Sequence, residues 1–456
     1  MCMRYFIETY GCQMNVHDSE RMAGLLEAVG YEAARDEHDA DLIVVNTCSV
    51  RERAEEKLYT RLGELRLLGH SPERKAGRPI IAVTGCVAQQ EGEAIVRRSN
   101  VVDLVLGTQR TKLLPAAVEQ VRLGGSAPLV DIRPWDDVSF PLGLAVRHDP
   151  VKAYVTIIEG CNDFCAFCVV PYTRGRERMR TKREILAEVR AAADSGHSEI
   201  HLLGQIVNHY QAPDDARCDF AGLLEAVHEI AGVRRIRFAS PHPRHVSPAM
   251  IAAMRDLPKV CRHIHLPVQS GSTRVLAAMR RRHSREEYLD LVDRLREALP
   301  GLAVSTDMIV GFPGETAGDF DETLSLVERV RYHSMFSFKY SPRPNTLAQQ
   351  RLAADEVAED EKTRRIVALQ SLQRAIQTVL HEASVGRDEE VLVDSISRRR
   401  EWELSGRSTA NTSVNFPGTP DLVGAFVRVR ITRGGPNSLA GELSEVLDRP
   451  RTEAYG

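Results

Sequence analysis

Short apolar runs alternate with amphipathic stretches from the start of the chain. Arg4 to Tyr10, Asp41 to Asn46 and Pro79 to Thr84 read as strands. Apolar positions at helical spacing follow each of them, as in Asp18 to Val29. This alternation predicts an α/β layer with a mostly parallel sheet through residue 125. Gly124 to Pro150, rich in Gly, Pro and Asp, reads as a linker. The rhythm resumes with candidate strands Lys152–Ile158, Glu199–Leu203, Arg234–Phe238, Arg262–Leu266, Ala303–Val310 and Met335–Tyr340. Thr181 and Glu184 form a capping box before one of the intervening helices. Six strands with helical crossovers are too few for a closed eight-fold barrel and predict an open, partial (β/α)6 barrel with ligands at the C-terminal strand ends. From Asp355 to Ala383, the residues Ile366, Leu369, Leu372, Ile376 and Leu380 share one helix face. After Val385 the period becomes two: Val427, Val429 and Ile431 alternate with Arg428 and Arg430. That pattern predicts a small C-terminal β-barrel.

Length and charge sharpen this picture. At 456 residues the chain suggests about three domains, here 1–125, 147–380 and 381–450. With 60 Lys+Arg against 63 Asp+Glu, the net charge is −3, which excludes nucleic-acid binding by bulk charge and leaves only local basic patches. No apolar run approaches the ~18 residues of a membrane span. The N-terminal MCMRYFIETYGCQMN has no basic-then-apolar leader, so a cytoplasmic chain without membrane contact is expected. No long apolar stripe asks for a partner subunit, and a monomer is expected.

The nine cysteines change the picture most, because an odd number in such a chain favours metal or redox chemistry over a disulfide framework. Cys161-Asn-Asp-Phe-Cys165-Ala-Phe-Cys168 directly follows the first strand of the central region. A structural zinc site is the plain alternative, but zinc commonly takes four ligands and no fourth Cys or His lies nearby in sequence. Three thiolates can instead hold three irons of a 4Fe–4S cluster and leave the fourth open. An open iron can chelate the amino and carboxylate groups of S-adenosylmethionine, whose reduction releases a 5′-deoxyadenosyl radical. The spacing, with the aromatic Phe167 before the third cysteine, resembles that of the radical S-adenosylmethionine enzymes.

Cys12, Cys48 and Cys86 each stand at the end of an expected strand, as Tyr-Gly-Cys12, Asn-Thr-Cys48 and Thr-Gly-Cys86. Such ends lie along one edge of a parallel sheet, so the three can meet; three buried core cysteines are the alternative. Three ligands again suit a cluster with an open corner.

Two triads in this order resemble the methylthiotransferases over essentially the whole chain. The resemblance implies an N-terminal cluster domain, a radical S-adenosylmethionine barrel and a C-terminal TRAM barrel. It implies two 4Fe–4S clusters, with Cys12, Cys48 and Cys86 holding the one that carries sulfur, and two molecules of S-adenosylmethionine, one to methylate that sulfur and one to yield the radical. Thr9-Tyr-Gly-Cys-Gln-Met-Asn15, Asn46-Thr-Cys-Ser-Val-Arg51, Glu159-Gly-Cys161 and Phe167-Cys-Val-Val-Pro-Tyr-Thr-Arg-Gly-Arg176 resemble one branch. That branch converts N6-dimethylallyladenosine, at position 37 beside the tRNA anticodon, to its 2-methylthio form. Branches acting on threonylcarbamoyladenosine or a ribosomal-protein aspartate are the near alternatives, and a non-catalytic metal-stabilised RNA-binding protein the distant one. Departures from the branch pattern are Ile206, Ala239 to His242 and Asn345. Implied partners are the tRNA, a flavodoxin- or ferredoxin-like electron donor, and Fe–S or sulfur carrier proteins.

Expected cofactor contacts are Phe167, Gly204, Gln205, Asn208, Gln269, Ser270 and Asp307, which stand at or near strand ends, where ordinary turn chemistry is the alternative. Arg174 to Arg183 carries six basic residues and one acid, Glu177. Arg174, Arg176, Arg178 and Arg180 are therefore candidate RNA-phosphate contacts, with Arg280–Arg282 as a second patch. From His381 onward there are 10 Arg and 12 Asp+Glu. Within that acidic balance, Arg398–Arg400, Arg428, Arg430 and Arg433 are candidates for one basic face. Cys218 and Cys261 read as packing residues.

Overall fold

The computed structural model describes residues 2–49, 54–68, 77–124, 128–134, 145–397 and 400–449. The N-terminal sheet has six parallel strands in the order Glu32–Ala33, Arg4–Tyr10, Leu42–Thr47, Ile80–Gly85, Leu104–Leu106 and Leu129–Asp131. Helices cover both faces, so the central strand Leu42–Thr47 is buried throughout. On one side Ile43, Val45, Ile81 and Val83 pack with Leu58, Leu62 and Leu65. On the other, Leu42, Val44 and Ala82 pack with Met22, Leu26 and Leu114. The expected linker is corrected at Leu129–Asp131. That three-residue strand takes its order from pairing with Leu104–Leu106, which a local pattern cannot show. Much of the remaining 124–150 stretch lies outside the described residues.

The central region contains six parallel strands: Lys152–Thr156, Glu199–Leu203, Arg235–Phe238, His263–His265, Ala303–Val310 and Ser334–Lys339. They form two three-stranded sheets, joined by a single bridge between Ile236 and Val260. The outer face, with Val155, Ile200, Leu202, Ile236, Ile264, Val304 and Met308, packs against helix residues such as Ile185, Leu224 and Leu291. The inner face alternates with it and is polar. His263 Nε2 and His265 Nδ1 both lie 2.9 Å from Ser305 Oγ, and Arg237 Nε donates to Glu199 at 3.0 Å. This is the open partial barrel the strand count predicts.

The helix Glu359–Glu382 leads to a closed barrel of five strands: Asp388–Ile396, Glu403–Ser408, Ser413–Pro417, Leu439–Asp448 and Phe426–Gly434, in that spatial order. Val391, Val393, Leu404, Val414, Phe416, Val427, Val429 and Ile431 fill it. Arg428 and Arg430 project outward, but they pair with Glu445 and Asp388 at 2.7 Å. The expected basic face is thus a mixed one; Arg398 and Arg399 lie outside the described residues.

Polar contacts join the three parts. His17 of the first helix, Gln13–Glu27, contacts Thr156 Oγ1 at 2.8 Å and Glu188 at 3.0 Å. Asp18 pairs with Arg174 at 2.7 Å. At the N-terminal ends of the central strands, Arg235 donates to Arg407 O and Glu390 O, and Arg237 donates to Ser408 O.

Candidate active site

Strand register assembles the first triad. Tyr10 is paired with Thr47, and Thr47 with Gly85, so residues 12, 48 and 86 follow three neighbouring strands that end at one level. Adjacent strands are about 4.8 Å apart, and the Cys48 thiol sits in hydrogen-bond contact with both Cys12 and Cys86. Gly85 has φ +92, and a Cβ there would come within 2.4 Å of Asn46 Oδ1 and Thr47 O. Only glycine lets the third strand turn into Cys86 at this spacing. Asn15 and Asn46 brace the other side: Cys12 N–H donates to Asn15 Oδ1, and Asn46 Nδ2 donates to Asn15 O at 2.8 Å.

The hydrogen bond with Cys48 lowers the pKa of Cys12 and of Cys86 against the opposing effect of burial, and the Arg174 guanidinium lowers both further. Cys48 is pushed up, first by those same hydrogen bonds. The site therefore favours thiolates at its two flanks.

The second triad needs no distant strands. Gly160, at φ +78, turns the chain beneath Arg176 O, where a Cβ would come within 2.2 Å. Phe164 adopts φ +47, a strained value for a bulky residue that persists only in a well-held loop. Cys168 N–H donates to Cys165 O at 3.0 Å, and Ala166 N–H to Met279 O at 2.9 Å. Burial pushes Cys161 and Cys168 up to about 12. Thiols so placed ionise only against a strong positive charge, which bound iron provides. Arg281 Nη1 points at Cys165 Sγ, 3.6 Å away, and is itself buried.

A mononuclear ion needs its donors within about 2.0–2.3 Å of one point. Among the described residues no group of three or more Cys, His, Asp or Glu side chains is arranged in that way. An iron–sulfur cluster asks for less convergence, one thiolate for each of three irons, and two cysteine triads, each part buried and part open and each with an arginine nearby, fit that demand.

The other expected contacts divide. Gly204 follows its strand directly, and a Cβ there would crowd Ile158 and Val207. The Gln205 amide meets Met14 Sδ, beside the first triad, while its Oε1 is buried without a partner. Gln269 is held at φ +78 between Asp307 and Ile309 by backbone hydrogen bonds. Phe167 is half-buried beside Ala166 and Phe312. Asn208 clasps His242, donating to its carbonyl at 3.0 Å and accepting its N–H at 2.8 Å. Ser270 is fully buried and accepts the N–H of Ser272. Asp307 lies on the inner barrel face, 3.4 Å from His265 Nε2.

Two of the four arginines expected on RNA are turned inward. Arg174 is buried on Asp18, and Arg180 on Glu188 at 2.6 Å and Thr156 O at 2.9 Å. Acids on neighbouring elements outcompete solvent for both. Arg178 pairs with Glu159 at 3.4 Å, and Arg176 is exposed. Sequence reasoning missed three features: Arg281 as a sulfur contact, Asp18 as the anchor of Arg174, and the exposed aromatic pair Phe164 and Tyr172, 6.0 Å apart on the loop triad. Phe164 was visible within the cysteine motif, but its pairing with Tyr172 and the two arginine roles depend on the folded arrangement.

Residues 4–107 match the model of "Uncharacterized protein family UPF0004", residues 155–327 that of the Radical SAM superfamily and residues 382–444 that of the TRAM domain. The tRNA-2-methylthio-N(6)-dimethylallyladenosine synthase of Geobacter metallireducens is 47% identical over 442 residues, 96% of this chain and 98% of its own. The synthase of that name from Aquifex aeolicus is 41% identical over 448 residues, 98% of this chain and 100% of its own. In structure, the radical S-adenosylmethionine methyltransferase TsrM from Kitasatospora setae, with cobalamin and a 4Fe–4S cluster bound, matches with a TM-score of 0.55. It is 14% identical, covering 76% of this chain and 74% of that one, and the likeness is one of fold.

Proposed function

The chain belongs to the family of tRNA-2-methylthio-N(6)-dimethylallyladenosine synthases, and from that membership we propose how its residues share the work. The protein is a radical S-adenosylmethionine enzyme that methylthiolates C2 of N6-dimethylallyladenosine next to the anticodon of tRNA. Its cofactors are two 4Fe–4S clusters and S-adenosylmethionine. Cys161, Cys165 and Cys168 hold the radical-forming cluster, and Cys12, Cys48 and Cys86 the auxiliary one. When bound, these groups supply one-electron cleavage of a sulfonium and the sulfur atom to be transferred.

The chain's own residues position that chemistry. Arg281 donates toward Cys165 and holds the loop at the barrel mouth. Arg174, carried by the segment just after the loop triad, sets its positive charge beside Cys12 and Cys86 and ties that segment to Asp18 of the N-terminal helix. Cys48, Cys86 and Cys161 are buried, whereas Cys12, Cys165 and Cys168 are partly open at the mouth where substrate arrives. Gly204, Gln205, Gln269 and Phe167 lie where S-adenosylmethionine meets the strand ends, and the unpartnered Oε1 of Gln205 is free to accept from it. Arg176 with Phe164 and Tyr172 gives the loop mouth a cation and two exposed rings, the combination that receives splayed bases and phosphates of an RNA loop. A low-potential electron carrier and a sulfur donor complete the cycle, acting on a monomer in the cytoplasm.

The observation that carries this reading is the level alignment of three cysteine-bearing strand ends in the domain that the loop triad's own segment docks against. Nucleoside mass spectrometry of tRNA from cells with and without the protein tests it. The 2-methylthio-dimethylallyl nucleoside should vanish and its unthiolated precursor accumulate. Loss of a threonylcarbamoyl derivative instead would refute the assignment of substrate.

A further inference from the structure

The last barrel strand, Ser334–Lys339, carries Phe336 and Phe338 on one face, 59% and 48% exposed. Register settles which face. Phe336 is level with Asp307, and Phe338 with Ile309, on the strand Ala303–Val310. Thr306, Met308 and Val310 alternate with these and are buried; Met308 and Val310 belong to the helix-covered outer core. Phe336 and Phe338 therefore face the inside of the open barrel. The Phe336 ring meets His265 edge-on at 6.0 Å, and His265 in turn lies beside Asp307 and Ser305. Deeper in the barrel this inner face is largely a hydrogen-bonded polar surface, built from Glu199, His201, Arg237, His263 and Ser305, while Ile309 lies level with Phe338. Two consecutive inner positions of exposed phenylalanine interrupt it.

Single exposed apolar residues need no explanation. A pair inside a cavity whose strand ends lead to the loop triad calls for an apolar occupant. We propose that Phe336 and Phe338 form the specificity wall that receives the N6-dimethylallyl group and the adenine plane of the tRNA base, an assignment that rests on the reaction proposed above. Phe336 keeps more than half of its surface open beside the His265 contact, room for a purine to pack against its ring. The dimethylallyl group is branched, uncharged and wholly carbon, so burial against two rings favours it over a hydrogen at N6. Asp307, level with Phe336, keeps a carboxylate in the same layer, and an anionic threonylcarbamoyl group would be repelled there.

The test uses the full chain with its clusters loaded and three anticodon stem–loop RNAs, bearing adenosine, dimethylallyladenosine or threonylcarbamoyladenosine at the target position. Dissociation constants are measured for each. Wild type should prefer the dimethylallyl RNA over plain adenosine by about tenfold, the effect of burying a few carbon atoms. In the double variant F336S/F338S this ratio should fall to within about twofold, while F336L keeps most of it. D307N should narrow the gap between the dimethylallyl and threonylcarbamoyl RNAs. Iron content checks that each variant folds, and the ratio of two affinities is insensitive to a general loss of binding. A full wild-type ratio in F336S/F338S overturns the proposal and leaves the reaction standing. A wild type that fails to methylthiolate dimethylallyl RNA overturns the reaction itself.

Discussion

Cys161, Cys165 and Cys168 occupy eight consecutive residues, whereas Cys12, Cys48 and Cys86 span 75 and meet only because three strand ends are level. The loop triad is fixed by local geometry: the turn at Gly160, the left-handed Phe164 and the short Cys168-to-Cys165 hydrogen bond. The strand-end triad is fixed by a sheet, and its precision is that of β-register. Each has one buried arginine. Arg281 serves the loop from within its own domain, while Arg174 crosses from the loop's segment into the other domain. The site that is local in sequence thus reaches out to stabilise the one that is not. Damage to the sheet should spare the loop, but damage to the segment after the loop should reach both.

The largest effect expected is from the six cysteines proposed to hold the clusters. Alanine at any of the six cysteines should abolish methylthio product, and iron should fall from about eight to about four per chain in either triad. If C48A kept full iron, the strand-end triad would not be a cluster site.

Next in size is the arginine that crosses between domains. R174M leaves Asp18 buried and unpaired, which costs about 3–5 kcal/mol. Iron should be lost from the strand-end triad as well as from the loop, whereas R174K should retain both. Equal iron in R174M and wild type would separate the triads completely.

The interface beneath them gives a pH window. Burial above all, with Arg21 nearby, holds His17 down at about 4, so it stays neutral in the fold. The unfolded chain takes up that proton below about pH 6.5, and the folded chain does not until about 4. Stability should therefore fall as pH drops from 6.5 to 4, by about 3 kcal/mol from this group. Glu188, held well below its usual range despite burial by the His17 hydrogen bond and by cations, adds a loss at still lower pH. Thermal melts of H17Q should lose the upper part of this slope; an unchanged slope would sink the assignment.

The smallest effect belongs to Arg281. R281Q removes one hydrogen bond to a ligand sulfur, and iron retention by the loop against a chelator should weaken about tenfold. The strand-end triad should not change, which sharpens the contrast with Arg174.

Much of this was legible in the chain itself. Strands Arg4–Tyr10, Glu199–Leu203 and Ala303–Val310 stand at their expected bounds because short runs of apolar and β-branched residues interleaved with polar ones stand out between helical stretches. The cysteine spacing marked the loop triad directly. What escaped depends on tertiary partners. Arg174 and Arg180 look like a solvated basic run until Asp18, 156 residues away from the first, and Glu188 are seen to bury them. Asn208 reads as a strand-end polar residue, and only the folded chain shows it closing on the His242 backbone. The strand Leu129–Asp131 is too short for any period to show. Phe336 and Phe338 read as ordinary strand residues, and only their register with Ala303–Val310 shows which side they face.

The contact between the central strands and the C-terminal barrel carries a consequence for traffic. Arg235 and Arg237 grip the carbonyls of residues 390, 407 and 408 where the central strands begin. These bonds fasten the small barrel to the strand ends opposite the cysteine loop. A nucleotide drawn in beside the cysteine loop would meet that fastening at the far end of the strands.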